Sequence, residues 1–407
     1  MTDLEPAMQR FFFFLFIFVV GAEVHAFGPQ DNNLQIASEA PSTESLTKEQ
    51  AQQEAKKLTA AYQKRIRESR KDEWAAKVIT IGDLEMKFDY RVFGEKPPGG
   101  HSLFISMHGG GGVPPRINEQ QWKNQIRLYE PEEGIYLAPR APTDTWDLWH
   151  QKHIDKFFER IIEDAIALEG VDPNRVYIMG YSAGGDGVYQ LAPRMADQLA
   201  AAAMMAGHPN GVSPQGLRNI GFTIHMGGKD AAFKRNKIAA QWKEKLAKLQ
   251  EADPEGYRHK VTIHPQHGHW MKRDDAVAVP WMAKFTRDPL PKKIVWRQSN
   301  VSHDRFYWLA ADEDDRKGGA KMVVSRDGNT FTIEETKDVG QVIIRLNDEM
   351  IDFSKPVEVL RTGEDGQQIK QRFANVQRSA EVISKTLQGR GDPHSVFVAE
   401  IKVKISN

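Results

Sequence analysis

The chain has no cysteine. That excludes a disulfide framework, a thiol nucleophile and a thiolate-ligated metal. It also has no charge excess: 55 Lys and Arg stand against 55 Asp and Glu in 407 residues. An even balance removes the electrostatic argument for nucleic acid or an anionic membrane as partner. Long apolar runs are missing as well. The longest, residues 11–20, is a Phe-rich stretch of ten, too short to span a bilayer as a helix. Arg10 stands before it and Val24-His25-Ala26 follows it, which reads as an export signal over residues 1–26 with a mature start near Phe27. Asp3 and Glu5 fit that signal poorly, and they disappear if translation begins at Met8. An uncleaved N-terminal anchor is the alternative. A cysteine-free exported chain is expected to be bacterial, and periplasmic or extracellular, with no stable membrane span once the signal is cut.

What is present falls into three stretches. Residues 27–76 are polar, with a Pro- and Ser-containing lead and then a Lys/Glu/Gln/Ala-rich segment that reads as a helix beginning near Ser45. Its charges are expected to form a solvated face. Residues 77–290 alternate strand-like runs (78–81, 87–92, 102–107, 135–138, 176–179, 223–226 and 260–264) with helix-like ones (120–128, 153–169, 185–195, 234–250 and 279–287). That alternation predicts βαβ units and a mainly parallel sheet flanked by helices. Residues 291–407 change character. Short β-type runs are separated by turn signals such as Asp327-Gly328-Asn329, with one helix near 376–387, which predicts a small antiparallel, sandwich-like accessory domain.

Candidate chemistry lies in four loops. Gly180-Tyr181-Ser182-Ala183-Gly184 follows the apolar run 176–179 and precedes a helix. A serine between glycines at a strand-to-helix turn reads as a nucleophile elbow. The motif is common by itself and gains weight from its company. His108-Gly109-Gly110-Gly111-Gly112 follows an early strand, and its backbone N–H groups, with that of Ala183, could form an oxyanion hole. No Gly-Lys-Ser/Thr follows, so phosphate binding is not indicated. Gly227-Gly228-Lys229-Asp230 follows a late strand and offers the acid. His264-Pro265-Gln266-His267-Gly268-His269-Trp270 follows the last strand of this part and offers the base. His267 and His269 both qualify as base, and His269 is favoured. Two histidines so close also raise a metal reading, but no third ligand of clear spacing accompanies them. The order Ser182, Asp230, His269 is that of a serine hydrolase acting through an acyl-enzyme.

These motifs resemble the polyhydroxybutyrate depolymerase/feruloyl esterase-like branch of the α/β-hydrolase superfamily, over roughly residues 80–288. The resemblance implies an α/β-hydrolase fold and cofactor-free hydrolysis of carboxylic esters, with Ser182 as nucleophile, Asp230 as acid and His269 as base. Secreted depolymerases of that branch usually carry cysteines and a polymer-binding domain. This chain lacks cysteine and shows no aromatic stripe in residues 291–407, so a small or oligomeric ester is the expected substrate.

Tyr181, Trp146 and Trp149 are candidate substrate contacts, and each could equally be a packing residue. The oxyanion donors are expected among Gly109, Gly110, Gly111 and Ala183. Two alternatives stay open: a serine peptidase of the same fold, and a surface-binding protein that keeps the fold without the chemistry.

Overall fold

The first described element is helix α1, Lys48–Ala76, whose start is set by a capping box. Thr47 Oγ1 accepts from the Gln50 N–H, and the Gln50 side chain accepts from the Thr47 N–H at 2.8 Å. The computed structural model describes residues 45–363 and 365–405; the expected signal (1–26) and most of the polar lead lie outside them. No helix among the described residues is long and apolar enough to cross a membrane. Few α1 side chains are buried, among them Tyr62, Ile66 and Trp74. Its charges are not all solvated, contrary to the sequence expectation. Tyr62 and Arg70 both reach Glu163, and Glu73 receives both ends of the Arg160 guanidinium at 2.9 Å.

The main sheet has eight strands: β1 Val78–Ile81, β2 Leu84–Phe93, β3 His101–Met107, β4 Gly134–Pro139, β5 Val171–Tyr181, β6 Ala201–Met205, β7 Gly221–Gly227 and β8 His259–His264. Their order is β1-β2-β4-β3-β5-β6-β7-β8. Only β2 runs against the others, pairing antiparallel with β1 and β4. Crossover helices are α2 Pro115–Gln125, α3 Lys152–Asp164, α4 Ala183–Arg194 and α5 Arg235–Ala252, and a short α6, Ala278–Met282, follows β8. Side chains alternate between two cores. In β3, Leu103, Ile105 and Met107 face one and Phe104 the other.

Strand β6 is invisible to sequence reasoning. Its residues are alanine and methionine, which favour helix in isolation. It is a strand because β5 and β7 pair with it on both sides and small side chains fit between two covering layers.

The C-terminal part contains β9 Lys293–Arg297, β10 Arg305–Phe306, β11 Leu309–Ala310, β12 Lys321–Asp327, β13 Thr330–Lys337, β14 Gln341–Leu346, β15 Val357–Thr362, β16 Gln368–Phe373, helix α7 Ala380–Arg390 and β17 Ala399–Lys404. They form two sheets, β10-β11-β14-β17 and β16-β15-β13-β12-β9. One pair departs from the antiparallel expectation: β13 and β15 are parallel. The chain between them detours through β14, which belongs to the other sheet, so it returns in the same direction.

The described residues, 45–363 and 365–405, cluster as one compact unit. The apolar core is shared, with Ile294, Trp296, Val324 and Ile344 in the same cluster as Leu103 and Ile178. Polar and charged pairs gather at the junction. Asp155 of α3 takes both Arg194 of α4 and His303. Asp197 meets Arg390, and Arg287 meets Asp392.

Candidate active site

Ser182 stands at the turn between β5 and α4 with φ 58° and ψ −120°, a strained backbone for a non-glycine residue. The turn is held from outside. Ser182 N–H donates to Met205 O at 2.9 Å. At Gly184 an added Cβ would sit 2.1 Å from Met107 O, so only glycine lets α4 start this close to β3. The strain lifts the serine hydroxyl clear of the strand end.

The acid follows β7 and the base follows β8. The two strands pair in parallel, so their loops emerge side by side. Gly228 N–H donates to His264 O at 2.8 Å and Lys229 N–H to His267 O at 2.9 Å, stitching the loops together. A Cβ on Gly227 would lie 1.8 Å from Gly268 O. The stitching leaves His269 Nδ1 2.7 Å from Asp230 Oδ2, and His269 Nε2 3.0 Å from Ser182 Oγ. Asp230 is only 3% exposed. An ionised Asp230 accepts from Nδ1–H, which leaves Nε2 free to accept the serine hydroxyl proton.

His267 and His269 point in different directions. His267 turns to Asp274, 2.6 Å away, whereas His269 spans Asp230 and Ser182. The two imidazoles use different carboxylates and do not converge.

Tyr181 packs beneath the histidine loop. It is 7% exposed. Its hydroxyl accepts from Met271 N–H at 2.8 Å and donates to His269 O at 2.7 Å. The residue before the nucleophile therefore pins the backbone of the base.

The glycine loop is braced by groups that the motif alone does not reveal. Buried His108 donates from Nδ1 to Gly109 O at 2.6 Å and accepts Ala141 N–H at Nε2. Burial lowers its pKa to about 3, so it stays neutral and keeps that tautomer. Asn118 Oδ1 accepts from Gly111 N–H at 2.9 Å, and Gly112 N–H donates to Asp144 O. Gly111 is thus withdrawn as an oxyanion donor, because its N–H is already used. Among the described residues, the N–H groups of Gly109 and Gly110 have no protein acceptor. A Cβ on Gly109 would stand 3.2 Å from Ser182 Cβ, which places this part of the loop against the nucleophile.

Trp149 is fully buried, and its indole N–H holds His108 O at 2.9 Å. Trp146 is 65% exposed and lies beside Gly111 and Gly112. Two more exposed aromatics, Phe233 and Trp270, sit on the acid and histidine loops. Trp270 packs its ring 5.4 Å from that of Tyr181. Asp186, one turn into α4, accepts from His208 N–H at 2.6 Å, and burial raises its carboxyl to about 6. The only sequence signal for Asp186 was its place four residues after the serine.

Residues 128–289 match the Dienelactone hydrolase family. That stretch carries Ser182, Asp230 and His269 and begins after the glycine loop. No curated protein matches the chain. Among solved structures, a thermostable esterase aligns with 52% of this chain and 62% of its own, less than two thirds of its length, at 18% identity and a TM-score of 0.39. A feruloyl esterase module from Clostridium thermocellum aligns with 51% of this chain and 86% of its own, at 15% identity and a TM-score of 0.38. An acetyl xylan esterase from Paenibacillus sp. R4 aligns with 51% and 82%, at 12% identity and a TM-score of 0.35.

Proposed function

We propose that this chain is a carboxylic-ester hydrolase of the α/β-hydrolase type that works through a Ser182–His269–Asp230 triad and an acyl-enzyme, a reading supported by the Dienelactone hydrolase match over residues 128–289. One observation carries the reading: the line from Asp230 Oδ2 through the His269 ring to Ser182 Oγ, with legs of 2.7 and 3.0 Å. His269 Nε2 takes the hydroxyl proton as Ser182 Oγ attacks the ester carbonyl. Asp230, buried and acceptor-only, holds Nδ1–H and stabilises the imidazolium. Ala183 N–H and the uncommitted N–H groups of Gly109 and Gly110 receive the oxyanion. The proton then passes from His269 to the leaving alcohol, and water repeats the sequence on the acyl-enzyme.

The substrate class is a small or oligomeric ester, and export rests on residues 1–26; cleavage near Phe27 in an exporting host would be read by N-terminal sequencing. The chemical test is Ser182→Ala. Hydrolysis of p-nitrophenyl acetate and labelling by a fluorophosphonate probe should both vanish, with the rate falling by about 10⁴-fold or more. Turnover retained in folded Ser182→Ala protein would overturn the reading.

A further inference from the structure

Helix α5 opens on Arg235, in the turn that follows the acid. Arg235 Nη1 stands 3.8 Å from Asp230 Oδ1, and the two side chains are 13% and 2% exposed. Asp230 Oδ2 is engaged with His269 Nδ1, whereas Oδ1 receives no hydrogen bond from the described residues. Arg235 is therefore the cation that faces the free oxygen of the catalytic carboxylate. No other carboxylate pairs with it among the described residues, and its buried Nε has no hydrogen-bond partner. The Ser182–His269–Asp230 mechanism as written above does not use this guanidinium.

The turn that brings it there is strained. Phe233 and Lys234 both hold positive φ, 52° and 58°, a region that costs energy for residues with side chains. The two residues reverse the chain onto the acid loop. Asn236 N–H then donates to Asp230 O at 3.1 Å, and Asn236 Nδ2 donates to Gly228 O at 2.8 Å. The first turn of α5 is thereby fixed against the backbone on both sides of Lys229, and Arg235 is turned back on the carboxylate. The Phe233 ring lies against the guanidinium, with Cζ 4.8 Å from the ring centroid.

A carboxylate this buried needs a counter-charge. Without one it stays ionised by drawing a second proton onto its hydrogen-bonded partner, His269. A resting imidazolium has no lone pair on Nε2 and cannot take the Ser182 proton. Arg235 supplies the compensating charge instead, so the imidazole can rest neutral. The other ionisable groups around the pair are engaged elsewhere. From β5, the Tyr181 hydroxyl lies between Met271 N–H and His269 O. On the acid loop, Lys229 Nζ reaches Gln266 Oε1 at 3.2 Å, and Lys234 is exposed. On the histidine strand and loop, His264 meets His225, His267 meets Asp274, and Asp275 meets Tyr129. From α4, Asp186 accepts from His208 N–H and Asn210 Nδ2; burial raises its carboxyl, and Arg235 is among the charges that oppose the rise.

We propose that Arg235 is a positioning residue of the triad: it faces the free oxygen of Asp230, keeps Oδ2 on His269 Nδ1, and lets His269 rest as a neutral base. The proposal rests on the triad reading above, and the test separates the two. kcat/KM for p-nitrophenyl acetate is followed against pH in the full-length parent, Arg235→Gln and Arg235→Lys. Removing a positive charge beside the pair favours the imidazolium. The acidic limb of the Arg235→Gln profile should therefore move to higher pH, by about half a unit to one unit. Arg235→Lys keeps the charge and should leave the limb where the parent has it. Arg235→Met keeps the packing of the side-chain stem and replaces Arg235→Gln where that variant does not fold, with the same shift expected. A lowered plateau on an unmoved limb, or an equal shift in Arg235→Lys, overturns the proposal, because loss of packing alone would do that. Histidine-labelled Ser182→Ala protein, with and without Arg235→Gln, is also titrated by NMR, the His269 signal being identified by its loss in His269→Gln. Its midpoint should rise with the arginine removed. That rise needs no turnover and supports the positioning role even if no ester is hydrolysed and the esterase reading fails. A midpoint left unchanged overturns it.

Discussion

In the α/β part, the loops bearing Asp230 and His269 are held by backbone hydrogen bonds and by close approaches that only glycine permits, as at Gly227 against Gly268 O. At the junction with the C-terminal part, position is held by side-chain charge instead. Asp155 takes Arg194 and His303, and Asp392 takes Arg287; Asp155, Arg194, Asp392 and Arg287 are nearly sealed from solvent. The difference follows from what each must do. The triad needs three loops fixed to within a fraction of an ångström, which neighbouring parallel strands and backbone contacts supply. The junction must select one docking of two sheets against helices. Buried charges do that by making every other arrangement leave a charge unpaired.

Asp230→Asn tests the catalytic side most severely. It preserves shape but removes the negative acceptor for His269 Nδ1–H, and kcat should fall by about 10⁴-fold with the fold intact. A fall of less than tenfold would mean that the acid is elsewhere. Asp155→Ala tests the junction. Arg194 would be left buried without its counter-charge, which costs about 3–5 kcal/mol, visible as a large drop in denaturation midpoint. Unchanged stability would show that Asp155 does not help to hold the two parts together.

Tyr181→Phe is milder. The ring stays and only the hydroxyl between Met271 N–H and His269 O is lost. A drop of about tenfold in kcat with KM unchanged is expected from a loosened base. A change confined to KM would return Tyr181 to substrate binding.

The smallest effect concerns pH. Burial raises the Asp186 carboxyl to about 6 in the folded protein, against an ordinary 3.8. Folding therefore favours the protonated form. That contribution is whole below about pH 4 and is lost as pH rises through 6. Asn cannot ionise, so Asp186→Asn should gain stability relative to the parent at pH 8 compared with pH 5, by about 1 kcal/mol or less. A midpoint difference independent of pH would show that Asp186 is not held in this way.

Part of this was legible in the chain. Apolar runs ending in Gly- or His-bearing loops located β3, β5, β7 and β8, because a buried strand and its turn leave a local pattern. The elements that were missed lack one. Strand β6 has no β-branched residue. The edge strand β16, Gln368–Phe373, alternates only weakly, with polar residues on both faces. Trp149 and Trp146 are three residues apart in one loop, yet one is buried as a brace and the other lies open. No local feature separates them. The same holds for His267 and His269, and for Gly111 beside Gly110, since each pair differs only in what the fold brings opposite.

The sequence by itself offered Ser182, Asp230 and a loop holding both His267 and His269, in that order, and the strand-end loops that carry them. Those follow from short-range chemistry: glycines around a serine, and an acid and a histidine after apolar runs. Tertiary structure alone decided which histidine faces the serine and which glycine N–H groups remain open. It also decided that the Tyr181 hydroxyl bridges Met271 N–H and His269 O. Each of these depends on residues tens to hundreds of positions apart meeting within about 3 Å, a hydrogen-bond distance that no local pattern encodes.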